Sequence, residues 1–384
     1  MHLLEAILLG VAAGFWVVYG GYCLLRIHAL PRVRRYAPAP REGEFVSVLV
    51  AARDEERPLP EAMASLLAQR QVHYEVIAVD DRSSDATGAI LDDFAARDER
   101  LRVCHVRELP PGWMGKPYAL ETGYESARGD WLLFTDADVR FHPETLGRAL
   151  ALAREQNLDH LTLIASLDMS GFWEHAALSY IALAFLLGIR PWLVDKPSAG
   201  SYMGIGAFQL VRREAYEAAG GHRRLAMEVV DDMKLGKMVK RAGFRSAVGI
   251  ADEFVRIRWQ EGLGNVIAGL TKNMFAGMSF RIWKAVGTFF AVMILSVVPF
   301  AALGFAHGWA LGLAIAAAAG AIGFNIAVLR GSGAEAPLYG FAHPVGALLF
   351  SWIAIRSMTV TLRQGGIVWR GTFYPLDELR RGSV

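Results

Sequence analysis

Residues 133–139 read Leu-Phe-Thr-Asp-Ala-Asp-Val, an apolar run that ends in two acids two positions apart. If the run is a buried strand, Asp136 and Asp138 lie at its carboxyl end, where open parallel sheets bind ligands. Side chains alternate along an extended strand, so both acids would point the same way. Two converging carboxylates suit Mg²⁺ or Mn²⁺, which takes its other ligands from water and a diphosphate. The alternative is a strand end with two solvated acids.

Short apolar runs alternate with helical patterns through the middle of the chain. The sequence predicts strands over residues 45–52, 75–79, 101–106 and 131–135. Between them it predicts helices over residues 60–69, 87–96 and 118–127. This alternation is typical of a doubly wound parallel α/β sheet. Polar clusters follow three of the strands, at residues 53–55, 80–85 and 136–138, so we expect function at that edge.

Composition excludes some functions. The net charge of +2 over 384 residues provides no field for binding nucleic acid. The two cysteines, Cys23 and Cys104, share no metal-binding spacing and fit a reducing compartment. The sequence contains no glycine-rich phosphate loop of the G-x-G-x-x-G or Walker type, so a nucleotide would be held by other groups.

Apolar segments at both ends of the chain are long enough to span a bilayer. They are residues 3–25, 286–306, 309–329 and 341–362. Arginines follow the first segment, so we expect an N-terminal anchor over residues 1–25 with its C-terminal side in the cytoplasm. A basic linker over residues 26–44 leads into a cytoplasmic domain over residues 45–284. The expected location is the inner (cytoplasmic) membrane of a bacterial-type cell.

Residues 285–362 are predicted to form two to three transmembrane helices, and residues 363–384 a basic tail. Four spans in total would place this tail outside, whereas its arginines favour the inside. The sequence leaves both placements open. A shorter apolar run, residues 176–189, lies below the spanning length and is predicted to be an interfacial helix, with a core helix as the alternative.

Five motifs of the middle region occur in the order and with the spacing of one enzyme family. They are Val50–Glu56, Val79–Thr87, Gly115-Lys116, Thr135–Asp138 and Val230–Asp232. On these motifs the chain resembles the inverting family 2 glycosyltransferases, which have the A-type (GT-A) nucleotide-sugar-binding fold. With its anchor and C-terminal helices, it looks like the branch of ceramide glucosyltransferases and of carotenoid and hopanoid glycosyltransferases.

The resemblance implies a donor site at the predicted sheet edge. Asp81 would accept a hydrogen bond from the nucleotide base, with Asp80 supporting the turn. Lys116 would meet the diphosphate as a point charge. Asp136 and Asp138 would hold Mg²⁺ or Mn²⁺, with Asp138 as the direct ligand. The alternatives are a helix cap or a turn for Asp81, solvated acids for Asp136 and Asp138, and an ordinary surface position for the lysine.

Further donor-site residues are implied on neighbouring loops. Ala52 and Glu55 would lie near the nucleotide, and Asp136 and Arg258 near the diphosphate. A solvated turn acid is the alternative for Glu55. Two other residues, Asp85 and Thr87, fit a helix cap better than a ligand contact.

The resemblance also implies an acceptor site. Asp232 aligns with the general base that deprotonates the acceptor hydroxyl, and Gly204 and Trp259 lie on the acceptor side. A helix N-terminal charge is the alternative for Asp232, a flexible turn for Gly204, and plain packing for Trp259 and Arg258. Val255 stands where the family's Q-x-x-R-W motif begins with glutamine, which argues against long-polymer synthesis.

We therefore expect a metal-dependent inverting hexosyltransferase at the membrane. It would move a sugar from a nucleotide sugar, with UDP as the expected nucleotide, to a hydroxyl of a lipid. Two alternatives are a processive polysaccharide synthase and a non-catalytic membrane binding or transport module. The identities of the sugar and the lipid stay open.

Overall fold

The computed structural model describes residues 2–259, 261–331 and 337–384. The helices are α1 His2–Ala13, α2 Gly20–His28, α3 Leu59–Leu67, α4 Thr87–Ala95, α5 Gly115–Glu125, α6 Thr145–Glu155, α7 Gly171–Ile189, α8 Arg213–Ala219, α9 Asp231–Arg241, α10 Gly262–Gly277, α11 Ile282–Val292, α12 Val298–Ala302, α13 Gly308–Gly331, α14 His343–Gln364 and α15 Leu376–Arg381. The strands are β1 Val46–Ala52, β2 Tyr74–Asp81, β3 Leu101–Val106, β4 Trp131–Asp136, β5 Val139–Phe141, β6 His160–Leu167, β7 Gln209–Arg212, β8 Ser246–Ile257, β9 Gly366–Trp369 and β10 Thr372–Pro375.

The described chain divides into two compact units. The sheet unit comprises Leu30–Asp168, Arg190–Trp259 and Arg381–Val384. The helical unit comprises Met1–Ala29, Met169–Ile189 and Gln260–Arg380. Each unit is therefore built from segments that are distant in sequence.

An eight-stranded sheet with the order β3-β2-β1-β4-β7-β6-β8-β5 forms the sheet unit. The first four strands in this order are parallel, and they are the four strands that the sequence predicts. Strand β7 is antiparallel to both β4 and β6, and β5 is antiparallel to β8. The fold is thus a mixed α/β sheet, not the wholly parallel sheet that the alternation of elements suggested.

Apolar layers cover both faces of the central strands. Val48 and Leu133 belong to one buried cluster, while Leu49 and Phe134 belong to the cluster on the other face. Neighbouring residues of one strand point to opposite faces, so strands buried on both sides need apolar residues at every position. This explains why β1 and β4 contain uninterrupted apolar runs.

Helices dominate the helical unit, which also contains the β9–β10 hairpin. Two π-helical turns, Gly14–Tyr19 and Met293–Val297, meet through a hydrogen bond from Trp16 Nε1 to the Leu295 carbonyl oxygen (2.7 Å). A π-turn interrupts the regular helical bonding pattern. The indole donor thus satisfies a carbonyl group within such a turn.

Among the described residues, five helical segments are long and apolar enough to cross a membrane, judged by length and composition. They are Leu3–His28, Gly171–Leu193, Ile282–Ala302, Gly308–Leu329 and Leu338–Gln364. Four of them correspond to the predicted spans. The fifth contains α7, which has 19 residues and begins at Gly171. The length argument for an interfacial helix over residues 176–189 was therefore wrong, because the helix extends further toward its N-terminus.

Candidate active site

The tips of β1, β2 and β4 meet at one edge of the sheet. Ala52 lies opposite Asp80 of β2, and Ala51 lies opposite Asp136 of β4. Parallel pairing therefore brings the predicted polar clusters together, as the sequence led us to expect. Ala52 itself is buried, and its methyl group offers a ligand no polar atom.

Hydrogen bonds join the loops that follow β1 and β2. The Asp54 amide donates to Ser83 Oγ (3.1 Å), and the Ser84 amide donates to Asp54 Oδ1 (2.7 Å). The Thr87 amide donates to Asp85 Oδ1 (2.9 Å) at the start of α4. Asp85 thus satisfies a helix amide, as the capping alternative predicts.

The two acids at the end of β2 have different partners. Asp80 accepts a hydrogen bond from the Ser83 amide (3.2 Å) and lies 3.0 Å from His105 Nδ1. It therefore supports the turn. Asp81 instead accepts a hydrogen bond from Arg82 Nε (2.7 Å), so the acid expected to read the base already has a cationic partner.

Lys116 lies in the first turn of α5, and its ammonium group reaches the end of β4. Its Nζ atom donates to Asp136 Oδ1 at 2.5 Å. Burial alone lowers the pKa of Lys116, but the carboxylates of Asp136, Asp231 and Asp232 outweigh burial and raise it above its ordinary value. Lys116 is therefore a permanent positive charge beside several acids.

Asp136 is the last residue of β4, and Ala137 and Asp138 form a tight turn into β5. A turn, not the alternation of an extended strand, thus determines where the second acid lies. Asp138 Oδ1 is buried without a hydrogen-bond partner among the described residues. Burial, together with the charges of Asp136 and Glu55, raises the pKa of Asp138 to about 7.

These acids fit a divalent cation. A cation would give the buried Asp138 oxygen a partner and relieve its repulsion with Asp136. Within the part of the chain that the structure describes, no three His, Cys, Asp or Glu side chains form a candidate metal cluster. Asp136 and Asp138 would hold Mg²⁺ or Mn²⁺ only with further ligands from water and substrate.

Asp232 lies in the first turn of α9 and is linked to β4 through the backbone of one residue, Gly206. The Gly206 amide donates to Asp232 Oδ2 (2.9 Å), and the Asp136 amide donates to the Gly206 carbonyl oxygen (3.0 Å). Burial raises the pKa of Asp232, although Lys116 opposes this effect. The backbone of Gly206 therefore fixes the expected base relative to Asp136, the acid expected to bind the metal.

Two glycines allow this close approach. A Cβ atom on Gly206 would overlap Asp136 Oδ2, and one on Gly204 would overlap the carbonyl oxygen of Asp232. Packing against α9 and β4 thus explains both glycines. The acceptor role of Gly204 stays a prediction.

Asp231 precedes the expected base and is buried, with 4% of its surface exposed. Burial raises its pKa to about 7; Lys116 acts in the opposite direction, and Asp232 and Asp136 add to the increase. The site therefore contains more carboxylates than cationic groups to pair them, which favours binding of a cation.

Sequence reasoning missed two buried residues behind the site. Gln209 Nε2 donates to the Asp232 carbonyl oxygen (3.3 Å) and to His160 Nε2 (3.0 Å). Burial lowers the pKa of His160 to about 4, so the ring accepts this bond in its neutral form. The sequence signal for these two residues was weak: each is a polar residue at the start of an otherwise apolar strand.

The remaining predicted residues lie on other loops. Trp259 packs against the apolar core of the sheet unit, as the packing alternative predicts, and Arg258 is exposed. Glu55 acts electrostatically on Asp138. Glu55 is thus near the expected metal site, while contacts of Arg258 and Trp259 with substrate stay predictions.

Comparison with known proteins finds a matching family model and similar sequences. Residues 47–220 match the family model described as glycosyl transferase family 2. The 4,4'-diaponeurosporenoate glycosyltransferase of Staphylococcus haemolyticus (strain JCSC1435) is 29% identical over 247 residues, which cover 62% of this chain and 64% of that relative. This alignment spans just under two thirds of the relative's length. The protein with the same description from Staphylococcus aureus (strain MRSA252) is 23% identical, and the alignment covers 87% of this chain and 89% of that relative.

One solved structure shares the fold over nearly the whole chain. It is the mannosyltransferase PcManGT from Pyrobaculum calidifontis in complex with GDP-Man and Mn²⁺, with a TM-score of 0.55 and 19% identity. The superposition covers 94% of this chain and 99% of the other. At this identity the similarity establishes the fold alone. The family match thus identifies residues 47–220 as a glycosyl transferase family 2 domain, and the solved structure shows that the chain shares the fold of a known glycosyltransferase.

Proposed function

We propose that this protein transfers a hexosyl group from a UDP-sugar to a hydroxyl of a membrane lipid, with inversion and with the help of a divalent cation. The observation that carries the proposal is the position of Gly206, whose carbonyl oxygen accepts from the Asp136 amide and whose amide donates to the Asp232 carboxylate. A donor-side acid and a base are thereby held at a fixed separation. Such fixed geometry is what a single displacement requires.

On the donor side, Lys116 and the acids Asp136 and Asp138 would hold the diphosphate end of the sugar nucleotide. A bound Mg²⁺ or Mn²⁺ would neutralise charge that develops as the nucleotide leaves. Lys116 adds a positive charge, because the neighbouring carboxylates keep its ammonium group protonated. The ammonium group exchanges its contact with Asp136 for one with a phosphate oxygen when the donor binds.

On the acceptor side, Asp232 would take the proton of the acceptor hydroxyl. The acceptor oxygen then forms its bond to the anomeric carbon as the bond from that carbon to the diphosphate oxygen breaks on the opposite face. One displacement inverts the anomeric centre. The raised pKa of Asp232 makes it a stronger base than an exposed aspartate.

The charge of the site favours a neutral acceptor. The two staphylococcal relatives are named for 4,4'-diaponeurosporenoate, whose ending denotes a carboxylate. Here Asp231 and Asp232 lie in the first turn of α9 and would repel an anion that approached the base. A hydroxyl avoids this repulsion and needs a base, whereas an ionised carboxylate needs none. The candidate membrane segments support a lipid as the carrier of that hydroxyl.

Substitution of the two acids tests the proposal. We expect Asp232→Asn to lower sugar transfer by about 10²–10⁴-fold, the range typical of a lost general base, while donor binding persists. Asp138→Ala should weaken Mn²⁺-dependent donor binding and transfer together. Asp93→Asn, which alters an exposed ion pair with Arg97 on the surface of α4, is the matched control. Full activity in both site variants would refute the proposal.

A further inference from the structure

Asp81 and Arg82 form a two-point ion pair at the end of β2. Arg82 Nε donates to Asp81 Oδ1 at 2.7 Å, and Arg82 Nη2 donates to Asp81 Oδ2 at 3.0 Å. The Asp81 side chain is only 5% exposed and that of Arg82 is 18% exposed. Parallel bonds of this kind orient both planar groups and are stronger than neutral hydrogen bonds.

The surrounding backbone is arranged around this pair. Arg82 has a φ of 56°, a left-handed conformation that is unfavourable for a residue with a Cβ atom. A Cβ atom on Gly115, the first residue of α5, would overlap Asp81 Oδ2 and would lie 2.8 Å from Arg82 Nη2. The ion pair therefore depends on the left-handed backbone of Arg82 and on the absence of a side chain at Gly115.

Occupation of both carboxylate oxygens changes which base Asp81 can bind. Guanine presents two adjacent donors, N1–H and the 2-amino group, which match the two oxygens of a free carboxylate. Uracil presents one donor, N3–H, between two carbonyl acceptors. A carboxylate has further lone pairs beyond the two that face the guanidinium, and a guanidinium has five N–H donors. The pair thus places guanidinium donors beside carboxylate acceptors, an arrangement that complements N3–H and a carbonyl of uracil.

We propose that Arg82 is a specificity-determining residue that makes the donor site select uridine over guanosine nucleotides. The Arg82 guanidinium occupies both carboxylate oxygens of Asp81, which guanine would need as acceptors. It also donates a hydrogen bond to a uracil carbonyl. This inference rests on the proposed function, because it assigns the base at the same donor site. It gives the preference for UDP a physical cause in this chain's own residues.

Binding of nucleoside diphosphates to the full-length protein in detergent with Mn²⁺ tests the inference. By calorimetry we expect UDP to bind at least about tenfold more tightly than GDP, since a correct two-point base contact discriminates by about that factor or more. Arg82→Met should reduce this ratio toward one, and Arg82→Lys should do the same because lysine lacks the fork. Arg97→Met, which removes an exposed arginine of the ion pair on α4, should keep the wild-type ratio.

The wild-type ratio is informative even if the Arg82 variants fail to fold. Equal binding of UDP and GDP, or tighter binding of GDP, would overturn the inference and leave the glycosyltransferase proposal intact. An unchanged ratio in a folded Arg82→Met variant would also overturn it. Failure of both nucleotides to bind would instead refute the proposed function, and the inference with it.

Discussion

Burial at the edge of the sheet determines how individual residues hold protons. Asp138 and Asp231 have pKa values raised to about 7, whereas the pKa of His160 is lowered to about 4. Burial is the first cause in each case, because it disfavours the charged form of either group. The same region therefore contains the buried acids Asp138 and Asp231, which lack enough cationic partners, and the neutral His160.

His160 makes folding sensitive to pH. Its pKa is about 4 in the folded protein and 6.5 for an ordinary histidine, so below pH 6.5 the unfolded state gains a proton that the folded state does not. This group alone should lower the free energy of unfolding by about 2 kcal/mol between pH 7.5 and pH 5. Denaturation of the wild type and of His160→Gln in detergent at both pH values measures the difference.

The exposed His73 provides the control for this experiment. His73→Gln should retain the pH dependence of the wild type, whereas His160→Gln should reduce it. Identical pH dependence in the wild type and in His160→Gln would show that His160 is not held neutral by burial.

The neighbouring acids Asp231 and Asp232 should differ in function. Asp232 receives the Gly206 amide on its side chain, while Asp231 is buried at the start of α9. Asp231→Asn keeps the size of the side chain and removes one negative charge. We expect it to retain at least about tenfold more transfer activity than Asp232→Asn, because only the latter removes the base. Equal losses in steady-state assays of the two folded variants would contradict this division.

At the level of secondary structure, burial on both faces made the central strands predictable. β3 begins and ends at the predicted residues, and β1, β2 and β4 differ from the prediction by one or two residues at their ends. The antiparallel β7 was not predicted, because it has only four residues and follows a long irregular segment. The fold family and the acids were thus visible in the sequence, while the Gly206 link and the support from Gln209 depend on tertiary contacts.

The segment before β7 provides a test of how elements position the site. Gly206→Ala would force a Cβ atom into Asp136 Oδ2, so we expect a loss of stability of about 1–3 kcal/mol, as for other overpacked sites. Transfer activity should fall by at least about 100-fold, since small displacements of reacting groups have effects of this size. Thermal denaturation and a transfer assay measure the two effects.

Gly200→Ala is the matched control on the same segment. A Cβ atom there meets no heavy atom within 4 Å among its described surroundings. This variant should therefore behave like the wild type. If Gly206→Ala is as active as Gly200→Ala, the peptide link does not align the donor and acceptor groups.

At the scale of the whole molecule, chain connectivity constrains the membrane topology. Strand β6 precedes α7 and pairs with β7 and β8, which follow it. The segments on both sides of α7 belong to one unit, so we expect α7 not to carry the chain across a bilayer. This argument from connectivity supports the proposal that α7 does not cross the membrane, although α7 is long enough to do so.

The same reasoning applies to the C-terminal segments. Trp259 and Arg381 both belong to the sheet unit, so we expect the chain between them to cross a membrane an even number of times. Three candidate spans lie between them. Arg356 lies within the last candidate, so we expect Ile282–Ala302 and Gly308–Leu329 to cross and Leu338–Gln364 not to cross. The arginine-rich tail would then lie on the same side of the membrane as the sheet unit, as the charge rule prefers.

Cysteine labelling tests this topology. In a background with Cys23→Ala and Cys104→Ser, single cysteines at the exposed positions Glu99, Arg381 and His307 report on three regions. An impermeant maleimide should label Glu99→Cys and Arg381→Cys from the same side of the membrane, and His307→Cys from the opposite side. Labelling of Arg381→Cys from the side opposite to Glu99→Cys would contradict the even number of crossings.

The most direct test of the proposed function is nucleotide release by the purified full-length protein. We would incubate it in detergent with Mn²⁺ and a panel of UDP- and GDP-sugars, with and without a total lipid extract. The proposal predicts release of UDP from one donor, dependent on the metal and stimulated by the lipid. Release from no donor, together with the absence of donor binding by calorimetry, would contradict it.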